Sequence, residues 1–210
     1  MTGAILNPKI ENYLNDILPK RDSLLAEMEK LARRRDIPII GPACGRLLYL
    51  LAKISGAKRV FEMGSAIGYS TIWWARAMGP QGHVYYTDGD ASNARRAREY
   101  FLRAGLERRI TILVGDAMKS LQKTAGKFDI IMIDVDKPQY IDALNAALPK
   151  LRRGGLLVTD NTLWSGKVAN RGGDESTRTI QKFNNKTYAK PTLYPVIVPL
   201  RDGVTVAQKL

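Results

Sequence analysis

The chain has few of the side chains that bind zinc and iron in proteins. Among its 210 residues there is one cysteine, Cys44, and one histidine, His83. A single cysteine excludes a disulfide within the chain and a zinc site made of several thiolates, and a single histidine excludes zinc and iron sites that need two imidazoles. We therefore expect any chemistry of this chain to depend on carboxylates, lysines and amides.

Long apolar stretches are also missing. No segment approaches the roughly 18 to 20 consecutive apolar residues that a membrane-spanning helix needs. Residues 1–13 contain no basic stretch followed by an apolar core, as a secretory signal would. With 45% hydrophobic and 25% charged residues, the chain has the composition of an ordinary globular protein. We expect a cytoplasmic protein that does not insert into a membrane.

Acidic residues are outnumbered by basic ones. The 33 lysines and arginines against 20 aspartates and glutamates give a net charge of +13, which leaves open an attraction to nucleic acid, an anionic membrane or an acidic small molecule. The basic residues concentrate at 33–35, 95–109 and 150–153, and the second run lies on a helical pattern with Ala97 and Phe101 at apolar positions, so most of its arginines should face solvent. No aromatic residues alternate with the basic ones, as they do on surfaces that stack single-stranded nucleic acid. Nucleic acid is therefore not the expected partner.

The order of the apolar patterns predicts helices first and a sheet afterwards. Residues 8–55 show three apolar helical faces: Ile10, Tyr13, Leu14 and Ile17; Leu24, Leu25, Met28 and Leu31; and Leu47, Leu48, Leu50 and Leu51. From residue 58 onward, short apolar runs alternate with helical stretches. The runs span residues 59–63, 83–87, 110–114, 129–133 and 155–159. Short, nearly continuous apolar strands separated by helices are typical of a parallel sheet that helices cover on both faces. We therefore predict one domain over residues 1–210, with helices over 1–55 and a doubly wound α/β core over 56–210.

The C-terminal part breaks this alternation. Two apolar runs, 193–200 and 204–209, are joined by Arg201-Asp202-Gly203, and Asp-Gly is a strong hairpin signal. The last strand should therefore run antiparallel to the strand before it. A turn-rich loop over residues 165–175 follows the fifth strand, and ligands in open α/β sheets bind at the carboxyl ends of strands. This loop is a candidate lid.

A glycine-rich segment closes the first strand and opens the following helix. It reads E-x-G-x-x-x-G-Y-S from Glu62 to Ser70. Neither the G-x-G-x-x-G spacing of dinucleotide-binding folds nor the Gly-Lys-Ser/Thr end of a P-loop is present. Asp88 ends the second strand, where its carboxylate can accept hydrogen bonds from two ribose hydroxyls. The glycine-rich segment and Asp88 together suit an adenosyl ligand without phosphates. The alternative interpretation of the segment is a glycine turn that only connects the strand to the helix.

Three successive strands end in acidic or amide side chains. Gly115-Asp116-Ala117 follows the third strand, Asp134-Val135-Asp136-Lys137 the fourth, and Asp160-Asn161 the fifth. Asp and Asn are common in turns, which is the alternative for any one of these positions. Because the carboxyl ends of parallel strands meet at one edge of the sheet, two carboxylates and a carboxamide there offer an all-oxygen ligand set. Such a set suits Mg²⁺, with Ca²⁺ or Mn²⁺ as substitutes.

Taken together, these motifs resemble the cation-dependent O-methyltransferases of the catechol and caffeoyl-CoA type. The shared series is E-x-G-x-x-x-G-Y-S, an acidic ribose residue, G-D-A, D-x-D-K, D-N-x-L-W and a C-terminal D-G-V-T, and it runs from about residue 37 to the end. The resemblance implies a Rossmann-like methyltransferase fold with a seven-stranded sheet that binds S-adenosylmethionine. It also implies a phenolic small molecule as the methyl acceptor and Mg²⁺ as a cofactor.

The resemblance implies three sets of site residues. The cofactor-binding set follows the methionine, ribose and adenine parts of S-adenosylmethionine in that order: Glu62, Gly64, Ser65 and Ser70, then Asp88, then Asp116 and the backbone of Ala117, together with Asp134. The metal ligands are Asp134, Asp160 and Asn161, and the catalytic lysine is Lys137.

The chain departs from that family at several positions. Catechol-specific members carry Asp-His-Trp-Lys where this chain has Asp134-Val135-Asp136-Lys137, so an aromatic wall near the adenine is missing and the bacterial caffeoyl-CoA-like branch fits better. Family members often have Gly-Gln in place of Gly45-Arg46 and Gly-Asp-Gly in place of Arg201-Asp202-Gly203. The N-terminal helices, which help to close the substrate pocket in the family, match poorly. These departures leave the identity of the acceptor open.

The function we expect is O-methylation of a catechol-like or hydroxycinnamoyl-like molecule, with Lys137 as base or as electrostatic partner of the phenolate. Tyr69 and Trp164 are candidates for the wall of the acceptor pocket. Two alternatives stay open: an RNA or protein methyltransferase that uses the basic surface, and a non-catalytic S-adenosylmethionine-binding module. The sequence argues against the first alternative, because the fourth strand is not followed by the N-P-P-Y tetrapeptide of amino-group methyltransferases. The apolar faces of the N-terminal helices predict a homodimer.

Overall fold

The fold alternates helices and strands after a helical N-terminal part. The computed structural model describes residues 7–210, so residues 1–6 of the predicted helical segment lie outside the described residues. Within that range the helices are α1 (Pro8–Asp16), α2 (Ser23–Arg35), α3 (Gly41–Ile54), α4 (Tyr69–Met78), α5 (Ala91–Arg103), α6 (Ala117–Lys123), α7 (Tyr140–Lys150) and α8 (Glu175–Tyr188). The strands are β1 (Arg59–Met63), β2 (His83–Asp88), β3 (Ile110–Val114), β4 (Phe128–Ile133), β5 (Leu151–Thr159), β6 (Leu193–Val198) and β7 (Val204–Lys209). Short 3-10 turns span Glu107–Arg109 and Lys137–Gln139, and Trp164–Ala169 contains two turns separated by a kink at Ser165 and Gly166.

The seven strands form one sheet in the order β3-β2-β1-β4-β5-β7-β6. Strands β1 to β5 pair in parallel, and β7 is antiparallel both to β5 and to β6. The predicted fold class is therefore confirmed, including the antiparallel C-terminal hairpin. Strand β5 begins at residue 151 rather than the predicted 155, with a register irregularity between Phe128 and Ile130 on its neighbour.

Two hydrophobic layers cover the faces of the sheet, which explains the nearly continuous apolar runs. Successive residues of a strand point to opposite faces, so Val60 packs in one layer and Phe61 in the other. The first layer also contains Trp74 of α4 and Phe101 of α5, and the second contains Tyr140 of α7. Because the crossover helices lie on both faces, the polar edge of the sheet is left free at the carboxyl ends of β1 to β5.

The N-terminal helices are buried unevenly. In α2, Leu24, Leu25 and Met28 are buried against the core, as the predicted apolar face requires. Leu50 of α3 was predicted to share the inward face but is 54% exposed, because Leu48 and Leu51 occupy the inward positions of that helix. Helix α1 contains no buried residue. No helix within residues 7–210 is long and apolar enough to cross a membrane.

The basic run between residues 95 and 109 faces solvent at most positions, as predicted. Arg95, Arg96, Arg98, Arg103 and Arg108 are exposed. Arg109 is the exception, since its guanidinium donates to the carbonyl oxygens of Ala75, at 3.0 Å, and Gly79. That arginine therefore ties the end of α4 to the start of β3.

Candidate functional site

A cavity of about 1050 Å³ lies at the carboxyl ends of β1 to β5. Among the predicted site residues, those that line it are Gly64, Ser65, Ser70, Asp88, Asp116, Ala117, Asp134, Lys137, Asp160 and Asn161. Glu62 is the one member of the predicted set that does not line the cavity. The lining also includes side chains that the sequence did not assign to the site, notably Ile39, Ile40, Asn93 and Arg201.

The glycine loop between β1 and α4 is shaped by two positive φ angles. Gly64 has φ +84°, and a Cβ at this position would collide with the carbonyl oxygen of Asp134. Gly68 has φ +82°, and a Cβ there would collide with the ring of Phe101. Glycine adopts this region of backbone space at no steric cost. The loop can therefore pack closely against the residue that follows β4, and it places Ser65 and Ser70 at the cavity.

Glu62 lies directly beneath this loop. It is fully buried, and one carboxylate oxygen accepts a hydrogen bond from the hydroxyl of Thr71, while Oε1 has no hydrogen-bonding partner. Burial raises the pKa of Glu62, and the neighbouring hydroxyls of Ser70 and Thr71 partly oppose this rise. The residue is therefore a buried acceptor with one uncompensated oxygen behind the serine-lined wall.

Asp88 organises the second wall of the cavity. Its Oδ2 accepts from the backbone N–H of Ala66 at 2.8 Å, and its Oδ1 accepts from the N–H of Asp90 at 2.8 Å and from the amide of Asn93 at 3.2 Å. An ionised carboxylate has about four lone-pair positions. The three hydrogen bonds leave one of these lone-pair positions free. Contacts to two ribose hydroxyls therefore require the hydrogen bond from the Asn93 amide, the longest of the three, to break.

Asp116 and Ala117 begin α6 at the end of β3. The Oδ1 atom of Asp116 caps the helix by accepting from the N–H of Lys119 at 2.7 Å, so this side chain has a structural role. Gly89 and Gly115 lie next to Asp88 and Asp116, and a Cβ at either glycine would meet no protein atom within 4 Å. This part of the cavity is therefore open enough for a flat ring system.

The opposite end of the cavity holds the predicted acidic and amide ligands around Lys137. The Nζ of Lys137 donates to Oδ1 of Asn161 at 2.7 Å and to the hydroxyl of Tyr140 at 2.9 Å, and it lies 3.6 Å from Oδ1 of Asp134. Tyr140 in turn donates to the backbone carbonyl of Asp160 at 2.9 Å. The structure thus brings together all four residues that the sequence placed at the ends of β4 and β5.

Charge at this end is concentrated and poorly solvated. Burial of the carboxyl group and then the negative charge of Asp160 raise the pKa of Asp134 to about 7, and the positive charges of Lys137 and Arg201 oppose that rise. The Oδ1 atom of Asp160 is buried and has no hydrogen-bonding partner. Among residues 7–210 no three His, Cys, Asp or Glu side chains form a metal-binding group, so the candidate ligands remain two carboxylates and the carboxamide of Asn161.

Arg201 is the main residue that sequence reasoning did not place in the site. It lies in the turn between β6 and β7, and its Nη1 donates to Oδ2 of Asp160 at 2.8 Å. The neighbouring Asp202 accepts from the amide of Asn161 at 3.3 Å and from the N–H of Ser165. Because β7 pairs with β5, with Thr205 opposite Thr159, the turn must lie next to the end of β5. The hairpin signal predicted the turn, while its contact with Asp160 follows only from the strand order.

Aromatic residues close the cavity from two sides. Tyr69 lines it but donates its hydroxyl to Oε1 of Glu29 at 2.8 Å, and burial together with this bond raises the pKa of Tyr69. Glu29 is also held by a two-pronged contact from Arg21. Trp164 lies on the other side, with its ring centroid 5.6 Å from Nζ of Lys137. The predicted lid loop therefore begins with a kinked turn beside the lysine.

Comparisons with known proteins point in one direction. A family model described as O-methyltransferase matches residues 17–210. A protein of Niastella koreensis named catechol O-methyltransferase is 36% identical over 94% of this chain and 95% of its own length. A catechol O-methyltransferase of Mycobacterium tuberculosis is 34% identical over 83% of this chain and 82% of its own length. The crystal structure of an O-methyltransferase from Bacillus cereus in complex with SAH superposes with a TM-score of 0.87 at 30% identity, covering 96% of this chain and 97% of that one.

Proposed function

The chain belongs to the O-methyltransferase family of the catechol and caffeoyl-CoA type and is an S-adenosylmethionine-dependent enzyme, and we propose that its acceptor is a catechol-like or hydroxycinnamoyl-like small molecule. One observation carries this proposal. A single cavity has Asp88 at one end and Lys137 with Asp134, Asp160 and Asn161 at the other. A methyl donor and an acceptor hydroxyl can therefore meet inside it.

We propose that S-adenosylmethionine, which supplies the electrophilic methyl group, lies along the ends of β1, β2 and β3. Gly64, Ser65 and Ser70 would surround its methionine part, with the carboxyl group of Glu62 buried behind them. Asp88 would accept from the ribose. The adenine would lie beside Asp116 and Ala117, where Gly89 and Gly115 leave space.

We also propose a divalent cation, Mg²⁺ being preferred, which would supply positive charge near the acceptor oxygen. The residues fit this role. Asp160 has a buried oxygen without a partner, and Asn161 Oδ1 accepts one hydrogen bond and so keeps its second lone pair. Asp134 adds a carboxylate whose Oδ1 lies 3.6 Å from Nζ of Lys137. These three residues would be the protein ligands, and hard oxygen donors are those that Mg²⁺ prefers.

Lys137 would act on the acceptor hydroxyl. A neutral phenol with a pKa near 10 is mostly protonated at pH 7, so transfer needs either a proton acceptor or a positive charge that stabilises the phenolate. Two directions of the Lys137 Nζ are fixed by Asn161 and Tyr140, which leaves one direction of the tetrahedral nitrogen for an acceptor oxygen or for Asp134. Trp164 would contact the aromatic ring of the acceptor.

The test is a panel of catechols, hydroxycinnamates and their thioesters, incubated with labelled S-adenosylmethionine and analysed by mass spectrometry. We expect label on a phenolic oxygen, loss of turnover after chelation, and recovery with Mg²⁺. Full turnover in metal-free protein would contradict the proposed cation. Transfer to RNA in place of any phenol, with salt-dependent retention on RNA, would contradict the proposed acceptor.

We further propose that the enzyme is a homodimer formed through its N-terminal helices. Ile10 and Tyr13 of α1 and Ile17, directly after this helix, are 50%, 60% and 57% exposed, and Leu50 and Ile54 of α3 are 54% and 71% exposed. Large apolar side chains in one region of a surface are typical of subunit contacts. Sedimentation of the wild type against an Ile10→Glu variant would test this. The cytoplasmic location stays a prediction from the sequence.

A further inference from the structure

We propose that the guanidinium of Arg201 is a permanent positive charge within the metal site. It competes with the divalent cation for Asp160 and weakens binding of that cation at least tenfold. This inference rests on the metal ligands in the proposed function. It concerns a residue of the β6–β7 turn, at a position where members of the family often have glycine.

The contact itself is direct and largely shielded from water. Nη1 of Arg201 lies 2.8 Å from Oδ2 of Asp160, and the two side chains are 27% and 3% exposed. Salt and water screen such a pair much less than an ion pair on the surface. Because a guanidinium does not lose its proton near neutral pH, the positive charge is permanent.

The charge count shows what Arg201 changes. Three carboxyl groups, those of Asp134, Asp160 and Asp202, face two cationic side chains, Lys137 and Arg201, through the contacts described. Whatever the protonation of the carboxyl groups, the cluster is one unit of charge more negative without Arg201 than with it. A divalent cation is attracted more strongly to the more negative cluster, and the guanidinium also repels the cation directly.

The backbone at this position favours glycine over arginine. Arg201 has φ +54°, in the left-handed region that disfavours residues with a Cβ. Glycine would adopt this conformation more easily. Two consequences follow: the ion pair with Asp160 offsets an unfavourable backbone angle, and an Arg201→Gly variant keeps a turn that its backbone readily forms.

The experiment measures binding of Mn²⁺ to metal-free protein from the disappearance of the free-ion electron paramagnetic resonance signal. The variants are Arg201→Gly and Arg201→Gln, the second retaining most of the side-chain volume. Arg171→Gly is the matched control, because Arg171 is exposed in the loop after Trp164 and its loss removes the same charge. Asp160→Asn in the Arg201→Gly background removes a proposed ligand.

We expect both Arg201 variants to bind one Mn²⁺ at least about tenfold more tightly than the wild type and the Arg171 control, since one unit of charge beside a dication is removed. Asp160→Asn should abolish that gain. Equal affinity in the wild type and both Arg201 variants would overturn the proposal, as would an equal gain in the Arg171 control or the absence of saturable binding in all proteins at millimolar Mn²⁺. Cofactor binding and labelled methyl transfer, measured on the same preparations, report separately on the proposed function.

Discussion

The two ends of the cavity differ in how the chain builds them. At the proposed cofactor end, the glycine loop follows β1, Asp88 ends β2, and Asp116 lies two residues after β3, and these three strands are adjacent in the sheet. At the proposed cation end, Asp160 accepts a hydrogen bond from Arg201, which is 41 residues further along the chain. The first end depends on short spacings that the sequence displays, whereas the second depends on how the C-terminal hairpin pairs with β5. The difference shows why sequence motifs can predict one end of the cavity while a contact at the other end depends on the folded sheet.

The largest expected effect concerns the cation end. Lys137→Ala should lower the single-turnover rate of methyl transfer by about 10² to 10⁴, the usual range for a general acid-base group. Cofactor binding should survive, because Asp88 and the glycine loop are untouched. Lys167→Ala is a matched control: its Nζ lies 5.8 Å from the ring centroid of the same Trp164, but the side chain is 52% exposed.

The acidity of the acceptor hydroxyl gives a further test of the role of Lys137. The loss in Lys137→Ala should shrink for nitrocatechols, which ionise without help. Rescue by Lys137→Arg would favour stabilisation of the phenolate over proton removal, because arginine keeps its proton near neutral pH. Wild-type rates in Lys137→Ala with a weakly acidic catechol would remove this lysine from the mechanism.

A second prediction concerns the junction of the two ends, where Gly64 approaches the backbone of Asp134. Gly64→Ala should lower the free energy of unfolding by about 3 kcal/mol, since an alanine at positive φ is itself unfavourable by about 1 to 2 kcal/mol and its Cβ adds a collision. Gly89→Ala is the control, because a Cβ there meets nothing within 4 Å. Denaturant unfolding gives both values, and a Gly64→Ala protein as stable as the control would show that the close approach is not rigid.

A smaller effect is expected at the wall of the cavity that α2 supports. Glu29→Gln keeps the size of a buried side chain but removes the charge that Arg21 contacts at 3.0 to 3.1 Å. We expect a loss of about 2 kcal/mol in unfolding free energy, the range for hydrogen bonds to a charged group. Glu27→Gln, with a carboxylate 48% exposed, is the control on the same helix. Equal stability of the two variants would mean that the buried pair does not hold α2 in place.

The sequence predicted the strands, their mostly parallel pairing and the antiparallel hairpin, because buried strands leave short apolar runs that turn residues separate. It also predicted that Asp134, Lys137, Asp160 and Asn161 meet, since parallel strands bring their carboxyl ends to one edge. It did not predict that Glu62 lies behind the cavity wall, which depends on the depth of the loop above it. The sequence also did not predict the contact of Arg201 with Asp160, because the pairing of β7 with β5 is a property of the folded sheet.

The separation of the two ends is tested most directly by calorimetric titration of S-adenosylmethionine into chelated protein, comparing Asp88→Ala with Arg201→Gly. Loss of the ribose contacts should weaken binding by at least about tenfold in Asp88→Ala, since a hydrogen bond to a charged group contributes roughly 1.5 to 3 kcal/mol. Arg201→Gly should bind within about twofold of the wild type, because the Arg201 contact with Asp160 lies at the cation end. An unchanged affinity in folded Asp88→Ala, or a comparable loss in Arg201→Gly, would contradict the division of the cavity into a cofactor end and a cation end.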